Sequence, residues 1–237
     1  LFEKWRVKYS QELFDHIVKE CGLNSKKKCL EIGPGTGQAT DFALETGCDY
    51  CAIELGANLA DLLKKKYDKF ENFKVINADF ENYPFESEQF DLVYSAAAIQ
   101  WINEEIAYQK CYSILKENGY LAMFLMRGDY RSENPALFQD IQHVYDTYFV
   151  SEMPYNQRFN YEAGEKYGFH YLGKKDFYGK RNYTADEYIE YIKTHSDHIT
   201  IKEEYRNPFF NGIHAAILNH GNNISFRDTY VLYLYEK

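Results

Sequence analysis

An α/β fold built on a parallel sheet with helices on both faces is what this 237-residue sequence predicts. Two observations carry the prediction. Between residues 28 and 126, short apolar runs alternate with amphipathic helical stretches, the pattern of parallel strands joined by helices. The first of those runs, Cys29-Leu30-Glu31-Ile32, ends abruptly in Gly33-Pro34-Gly35-Thr36-Gly37. Glycines in such a turn let the backbone approach a ligand where a side chain would collide.

In chain order, residues 5–22 (Trp5 to Gly22) predict a first helix with Leu13, Phe14, Ile17 and Val18 as its apolar stripe. Strand one is expected at 28–32, then the glycine turn, then a helix from Gln38 to Thr46 stopped by Gly47. Strand two, Tyr50 to Ile53, ends at Glu54. A helix from Asn58 to Phe70 would bury Leu59, Leu62, Leu63, Tyr67 and Phe70, and strand three, Phe73 to Asn77, ends near Asp79. Strand four covers Phe90 to Ser95. Asn103 caps a helix burying Ala107, Cys111, Ile114 and Leu115, and Asn118-Gly119 ends it before strand five, Tyr120 to Met126.

Beyond Arg127 the pattern loosens. Residues 134–150 read as helix, 151–168 as an aromatic, polar loop, and 171–182 as containing a strand. Thr184-Ala185-Asp186-Glu187 is a capping box opening a helix to about His195. Another helix runs from about Ile201 to His220, interrupted at Asn207-Pro208, and a last strand lies within Asp228–Tyr235. No repeat or linker divides the chain. The expectation is one domain: an N-terminal helical segment (1–24), a ligand-binding core (28–127), cap elements around a sixth strand (128–221) and a final strand (228–236).

A net charge of −9 argues against a nucleic-acid partner, which calls for a basic face. The Lys26-Lys27-Lys28 run is too short to reverse that. No stretch has the apolar length of a membrane span, and none reads as a basic-then-apolar leader, so a cytoplasmic protein is expected. The chain starts at Leu1 rather than Met, which leaves room for residues upstream. Five scattered cysteines, including the pair Cys48 and Cys51, lack a second pair or a histidine cluster beside them. Free thiols are expected and no metal. The 23 tyrosines and 17 phenylalanines exceed the needs of a core; codon bias explains that as well as an aromatic pocket does.

The chemistry gathers at strand ends. A dinucleotide fingerprint would place Gly or Ala at position 38, where this chain has Gln38. Glu54 follows Gly33 by 21 residues, at the end of strand two, where a carboxylate can take both hydroxyls of a ribose. Asp79 lies 25 residues further, where a carboxylate can accept from an adenine amino group. Strand ends of a parallel sheet open onto one crevice, so glycine turn, Glu54 and Asp79 would meet one nucleoside.

In these motifs the sequence resembles class I S-adenosylmethionine-dependent methyltransferases, within the small-molecule group related to trans-aconitate and quinone-biosynthesis enzymes. The resemblance runs from about Cys29 to Met126. It implies a Rossmann-like, seven-stranded, mostly parallel sheet with an antiparallel last strand and a helical cap. It also implies S-adenosylmethionine as the methyl donor, with Glu31, Gly33, Pro34, Gly35, Thr36 and Gly37 toward its methionine part. Glu54 and Leu55 would take the ribose, Asp79 and Phe80 would flank adenine, and Ser95 and Ala96, ending Phe90-Asp91-Leu92-Val93-Tyr94-Ser95, would stand beside the sulfonium. Relatives have a His before Trp101; here that position is Gln100, which can orient a substrate but cannot take its proton.

The resemblance further implies a small-molecule acceptor, methylated at O or N and possibly a carboxylate. Methyl transfer from a sulfonium is an in-line displacement whose leaving group becomes neutral. Alignment of donor and acceptor, about 7–11 kcal/mol, then outweighs a general base, roughly 3–5 kcal/mol. On the acceptor side the candidates are Gln100, Trp101, Arg127, Arg131, Arg158, His170, His195 and His198. Each has a structural reading of equal standing; for His195 and His198 it is helix-end capping. Tyr9 and Trp5 would either close over the cofactor or pack the first helix. Two other functions stay open: a protein or RNA methyltransferase, and a non-catalytic module that keeps the nucleoside pocket.

Overall fold

The computed structural model describes residues 8–151 and 159–237. Trp5 and Arg158 lie outside the described residues. The strands are β1 (Lys28–Ile32), β2 (Asp49–Glu54), β3 (Phe73–Asn77), β4 (Phe90–Ala96), β5 (Leu115–Asp129), β6 (His170–Tyr183) and β7 (Ile224–Glu236). Among the described residues they form a seven-stranded sheet in the order β3-β2-β1-β4-β5-β7-β6. β1 pairs in parallel with β2 and β4, β2 with β3, and β4 with β5; the sheet is mostly parallel, with antiparallel pairing from the last strand. The order steps away from β1 in both directions, to β2 and to β4. This makes the carboxyl end of β1 the point where the connections part and where such sheets bind ligands.

The helices are α1 (Gln11–Cys21), α2 (Asp41–Leu44), α3 (Ala57–Lys66), α4 (Glu104–Ile114), α5 (Pro135–Tyr148), α6 (Ala185–Ile192), α7 (Ser196–Ile199) and α8 (Glu203–Asn219). Local chemistry explains most ends. Ser10 accepts from the Leu13 amide and so caps α1 at Gln11, Gly22 in the left-handed region stops it, and residues 5–7 of the expected helix lie outside the described residues. Asn103 caps α4 through the Glu105 and Ile106 amides, and Thr184 with Glu187 closes a complete capping box on α6.

Several expectations are corrected. The helix expected over 38–46 is only the single turn of α2, because residues 35–40 are a run of turns and Thr40 makes no side-chain cap bond. α3 ends at Lys66, with Tyr67 as its cap, and Leu62 faces out while Ala60 and Leu63 are buried. Leu115 is not helical. β5 begins there, directly after α4, and Asn118, at φ 60°, bends the strand instead of stopping a helix. α6 ends at Ile192, and a separate turn, α7, follows His195. Pro208, the sixth residue of α8, lies past its first turn, and the helix runs on through it at the loss of one i→i−4 hydrogen bond.

The chain divides into two compact units. The larger holds residues 8–126, 159–177 and 230–237, with a core that includes Leu30, Ile32, Val93, Cys111, Met123 and Tyr235. The smaller holds residues 127–151 and 178–229, and its own core joins Leu137, Ile141, Ile189, Phe209 and Ile213.

Candidate functional site

The larger unit places the glycine turn at the carboxyl end of β1. Gly33, Gly35 and Gly37 all have positive φ (66°, 61° and 86°). Gly33 is also crowded: a Cβ there would stand 2.6 Å from Ala98 Cβ, and one on Gly37 would stand 2.7 Å from Tyr67 Oη. The chain therefore needs glycine at both positions for two reasons, backbone conformation and space. The backbone holds the turn through Gly33 N–H to Ile53 O (2.9 Å) and Gly37 N–H to Pro34 O (2.9 Å). Thr36 is buried, and its carbonyl accepts from Lys66 Nζ at 3.1 Å.

Glu31, on β1 beneath the turn, is fully buried. Its Oε2 accepts from Thr40 Oγ1 at 2.7 Å and from the Tyr50 hydroxyl, and Tyr94 Oη stands 2.9 Å away. Its Oε1 is buried with no hydrogen-bond partner. Burial raises the carboxyl to about 7, against the lowering effect of Tyr50, Thr40 and Tyr94. Sequence reasoning missed these three partners. Strand register held the signal: Glu31 is paired with Tyr94, and Tyr50 lies two residues before Glu31's partner Ala52 on β2, so all point to one face.

Glu54 ends β2, buried, and its carboxylate spans two loops: Oε2 accepts from Gly35 N–H (3.0 Å) and Oε1 from Gly56 N–H (2.9 Å). It thus clamps the glycine turn. Leu55 beside it is 73% exposed. β2 and β3 pair Glu54 with Asn77, so Asp79 follows the end of the adjacent strand, accepting from Glu81 N–H (2.9 Å) and Asn82 Nδ2 (2.6 Å). Phe80 is buried, with Lys110 Nζ 5.3 Å from its ring centre.

Ser95's buried hydroxyl donates to Ile32 O (3.0 Å) and accepts from Ile99 N–H (3.0 Å), so it ties β4 to β1. Ala96 ends β4, half-buried, before Ala97 at φ 53°. Gln100 donates to Ala97 O (2.9 Å) and accepts from Tyr161 Oη (2.9 Å), a partner not foreseen in the sequence. Trp101 is half-exposed. Tyr9 packs on Phe14, Phe124 and Tyr230, the packing alternative of its two readings.

His170, at the start of β6, is exposed in the larger unit. Arg127, Arg131, His195 and His198 belong to the smaller one. Arg127 is exposed, and Arg131 lies over the Phe138 ring at 5.1 Å. His195 caps α7 by position without a side-chain cap bond, while His198 is buried against Tyr145 and Asp197. Capping therefore accounts for neither histidine's side chain.

The site thus joins a switch-point glycine turn above a buried acid to an acid ending β2 and another just past β3, in an α/β domain. Residues 30–123 match the family described as methyltransferase domain. The chain is 31% identical over 94 residues to ribosomal RNA small subunit methyltransferase A of Borreliella afzelii, covering 38% of this chain and 34% of that protein. It is 26% identical over 116 residues to malonyl-[acyl-carrier protein] O-methyltransferase of Marinomonas sp. strain MWYL1, covering 48% and 43%. The chain thus spans less than half the length of these curated relatives. Its fold is shared with the YcgJ protein of Bacillus subtilis, at a TM-score of 0.64 and 15% identity, covering 96% of this chain and 99% of that one.

The family's methyl donor is S-adenosylmethionine. The residues present fit it: an orphaned buried carboxylate oxygen suits an ammonium, and a Cβ on Gly35 would meet only Gln38 Oε1, at 4.0 Å, so the turn keeps open space there.

Proposed function

We propose that the chain transfers the methyl group of S-adenosylmethionine to a small-molecule acceptor, at oxygen or nitrogen. The observation that carries this reading is Glu31 Oε1, a buried acceptor without a partner directly beneath a glycine turn held open in the left-handed region. Leaving a carboxylate oxygen dry and unpaired costs several kcal/mol unless a ligand's cationic group completes it.

Bound there, S-adenosylmethionine supplies an electrophilic methyl on a sulfonium. Glu31 would hold the ammonium. Glu54, already fixed by Gly35 and Gly56, would take the ribose hydroxyls with its remaining lone pairs, and Asp79 with Phe80 would take adenine. Gln100, oriented by Tyr161 and by Ala97, would position the acceptor without exchanging a proton. Alignment is then the main contribution of these residues, worth about 7–11 kcal/mol in favourable cases. A small acceptor is supported by the acidic balance of the chain, which disfavours a polyanion, although one curated relative is named for ribosomal RNA.

Titration calorimetry with S-adenosylmethionine tests the donor, and absence of binding sinks the reading. Release of S-adenosylhomocysteine is then followed with a panel of carboxylic acids, phenols and amines beside RNA and peptides. Turnover confined to RNA or peptide would replace the small acceptor, and binding without turnover on any acceptor would leave a non-catalytic module. Gln100→Ala is expected to lower kcat/KM for the acceptor while leaving donor affinity unchanged.

A further inference from the structure

The smaller unit contains a second cluster of chemistry-bearing side chains that the methyl-transfer reading does not use. His195, Asp197 and His198 each direct one ligand-type atom into a common space, and these atoms lie within 4.8 Å of one another. His195 is the residue before α7, and Asp197 and His198 lie in its single turn, so residues i and i+3 share a face. We infer that this trio is a binding site for a divalent transition-metal ion of the zinc class, with three protein ligands and one position left to solvent.

Three features support it. First, the donor set is two imidazoles and a carboxylate, which suits zinc, cobalt or nickel and does not suit magnesium or calcium, ions that prefer all-oxygen sites. Second, His198 is held as a metal-binding histidine needs to be. It is 4% exposed, and its Nε2 is 2.7 Å from Tyr145 Oη. At 2.7 Å Nδ1 donates to Asp197 Oδ1, which leaves Nε2 to accept from the Tyr145 hydroxyl; exchange to the other tautomer, with Nε2–H donating to Tyr145 Oη, turns the Nδ1 lone pair toward an ion beside Asp197. Orientation of a ligating imidazole through its other nitrogen is the usual outer support of such sites. Third, the turn itself is braced. Ser151 bridges to Ile201 just after α7, Ser151 Oγ is 2.8 Å from Thr200 Oγ1, and Phe149 and Phe209 pack on the His198 ring.

Ligand atoms sharing a zinc ion about 2.0–2.2 Å from each stand roughly 3.3 Å apart. Asp197 would move out from His198 by about half an ångström, and the half-exposed His195 would move in. His198, buried and braced, would stay. Binding replaces the Asp197–His198 hydrogen bond with two coordinate bonds and displaces any proton on Nδ1 to solvent.

The test uses the full chain, stripped with chelator and without S-adenosylmethionine, so it is independent of the methyl-transfer reading. Equilibrium dialysis with Zn2+ is expected to give one ion per chain, and Co2+ is expected to give the visible absorption of a low-coordinate nitrogen–oxygen site. Mg2+ should neither bind nor compete. Asp197→Asn and His195→Ala, both at accessible positions, are each expected to weaken Zn2+ at least tenfold. Tyr145→Phe, which removes no ligand, is expected to weaken it by about ten- to a hundredfold through His198. His214→Ala, altering an exposed histidine paired with Asp186, should change nothing. Failure of the unaltered chain to retain Zn2+, or retention that the Asp197 and His195 variants leave intact, would overturn the assignment.

Discussion

Glu31 and Glu54 differ in what surrounds them, and their variants should differ accordingly. Glu54 already serves two backbone amides, so Glu54→Ala removes the clamp on Gly35 and, on the proposed reading, a ribose contact. Charge-assisted hydrogen bonds contribute about 1.5–3 kcal/mol each. The expected result is at least a tenfold weaker Kd for S-adenosylmethionine by calorimetry. Glu31 is a question of pH. Its carboxyl, raised by burial to about 7 from an ordinary 4.5, binds a proton more tightly folded than unfolded. The stabilisation from that proton is complete below about pH 4.5 and is lost as pH rises through about 7, a change of about 3 kcal/mol. Glu31→Gln should flatten this slope in denaturant titrations at pH 5 and 8, and raise ligand-free stability at pH 8. It should also weaken S-adenosylmethionine, because the amide cannot balance an ammonium. The acid's place before the glycines was legible in the sequence. Its desolvation was not, because Thr40, Tyr50 and Tyr94 come from three separate segments.

Elements form where local chemistry and tertiary demand agree. β1 and β3 have the bounds that their apolar runs predict, and the Asn103 and Thr184 caps were readable because capping uses residues within three positions. Asn103→Ala should cost about 1 kcal/mol of stability in a denaturant titration and leave donor affinity unchanged. α2 and the junction of α4 with β5 were misjudged because a longer-range need prevails there. Thr40 donates to Glu31 instead of capping a helix, and Leu115 leaves α4 to pair with Phe90 on β4. The glycine turn shows the same dependence on a distant partner. Gly33→Ala should destabilise by about 1–3 kcal/mol from its positive φ, with the Ala98 contact added. Ala98→Gly in the same chain should recover the contact part only, measured as a partial return of Tm.

Across the whole molecule, donor binding and folding are linked. S-adenosylmethionine at a hundred times Kd should stabilise the chain by about 2.7 kcal/mol, and only about 1.4 kcal/mol at that concentration for a variant binding tenfold more weakly. A thermal-shift series of the unaltered chain and Glu54→Ala checks this. The sequence of strands and major helices along the chain and the mostly parallel sheet follow from the sequence alone. Periodicity, glycine spacing and strand-end acids are short-range patterns, and a parallel sheet collects its strand ends on one side. Tertiary structure alone decided which oxygen of Glu31 lacks a partner, that Ser95 is tied into the sheet, and that Tyr161 orients Gln100. It also decided that Tyr145 steadies a histidine beside Asp197. Each of these depends on residues far apart in the chain meeting at hydrogen-bond distance, and no local pattern encodes such a meeting.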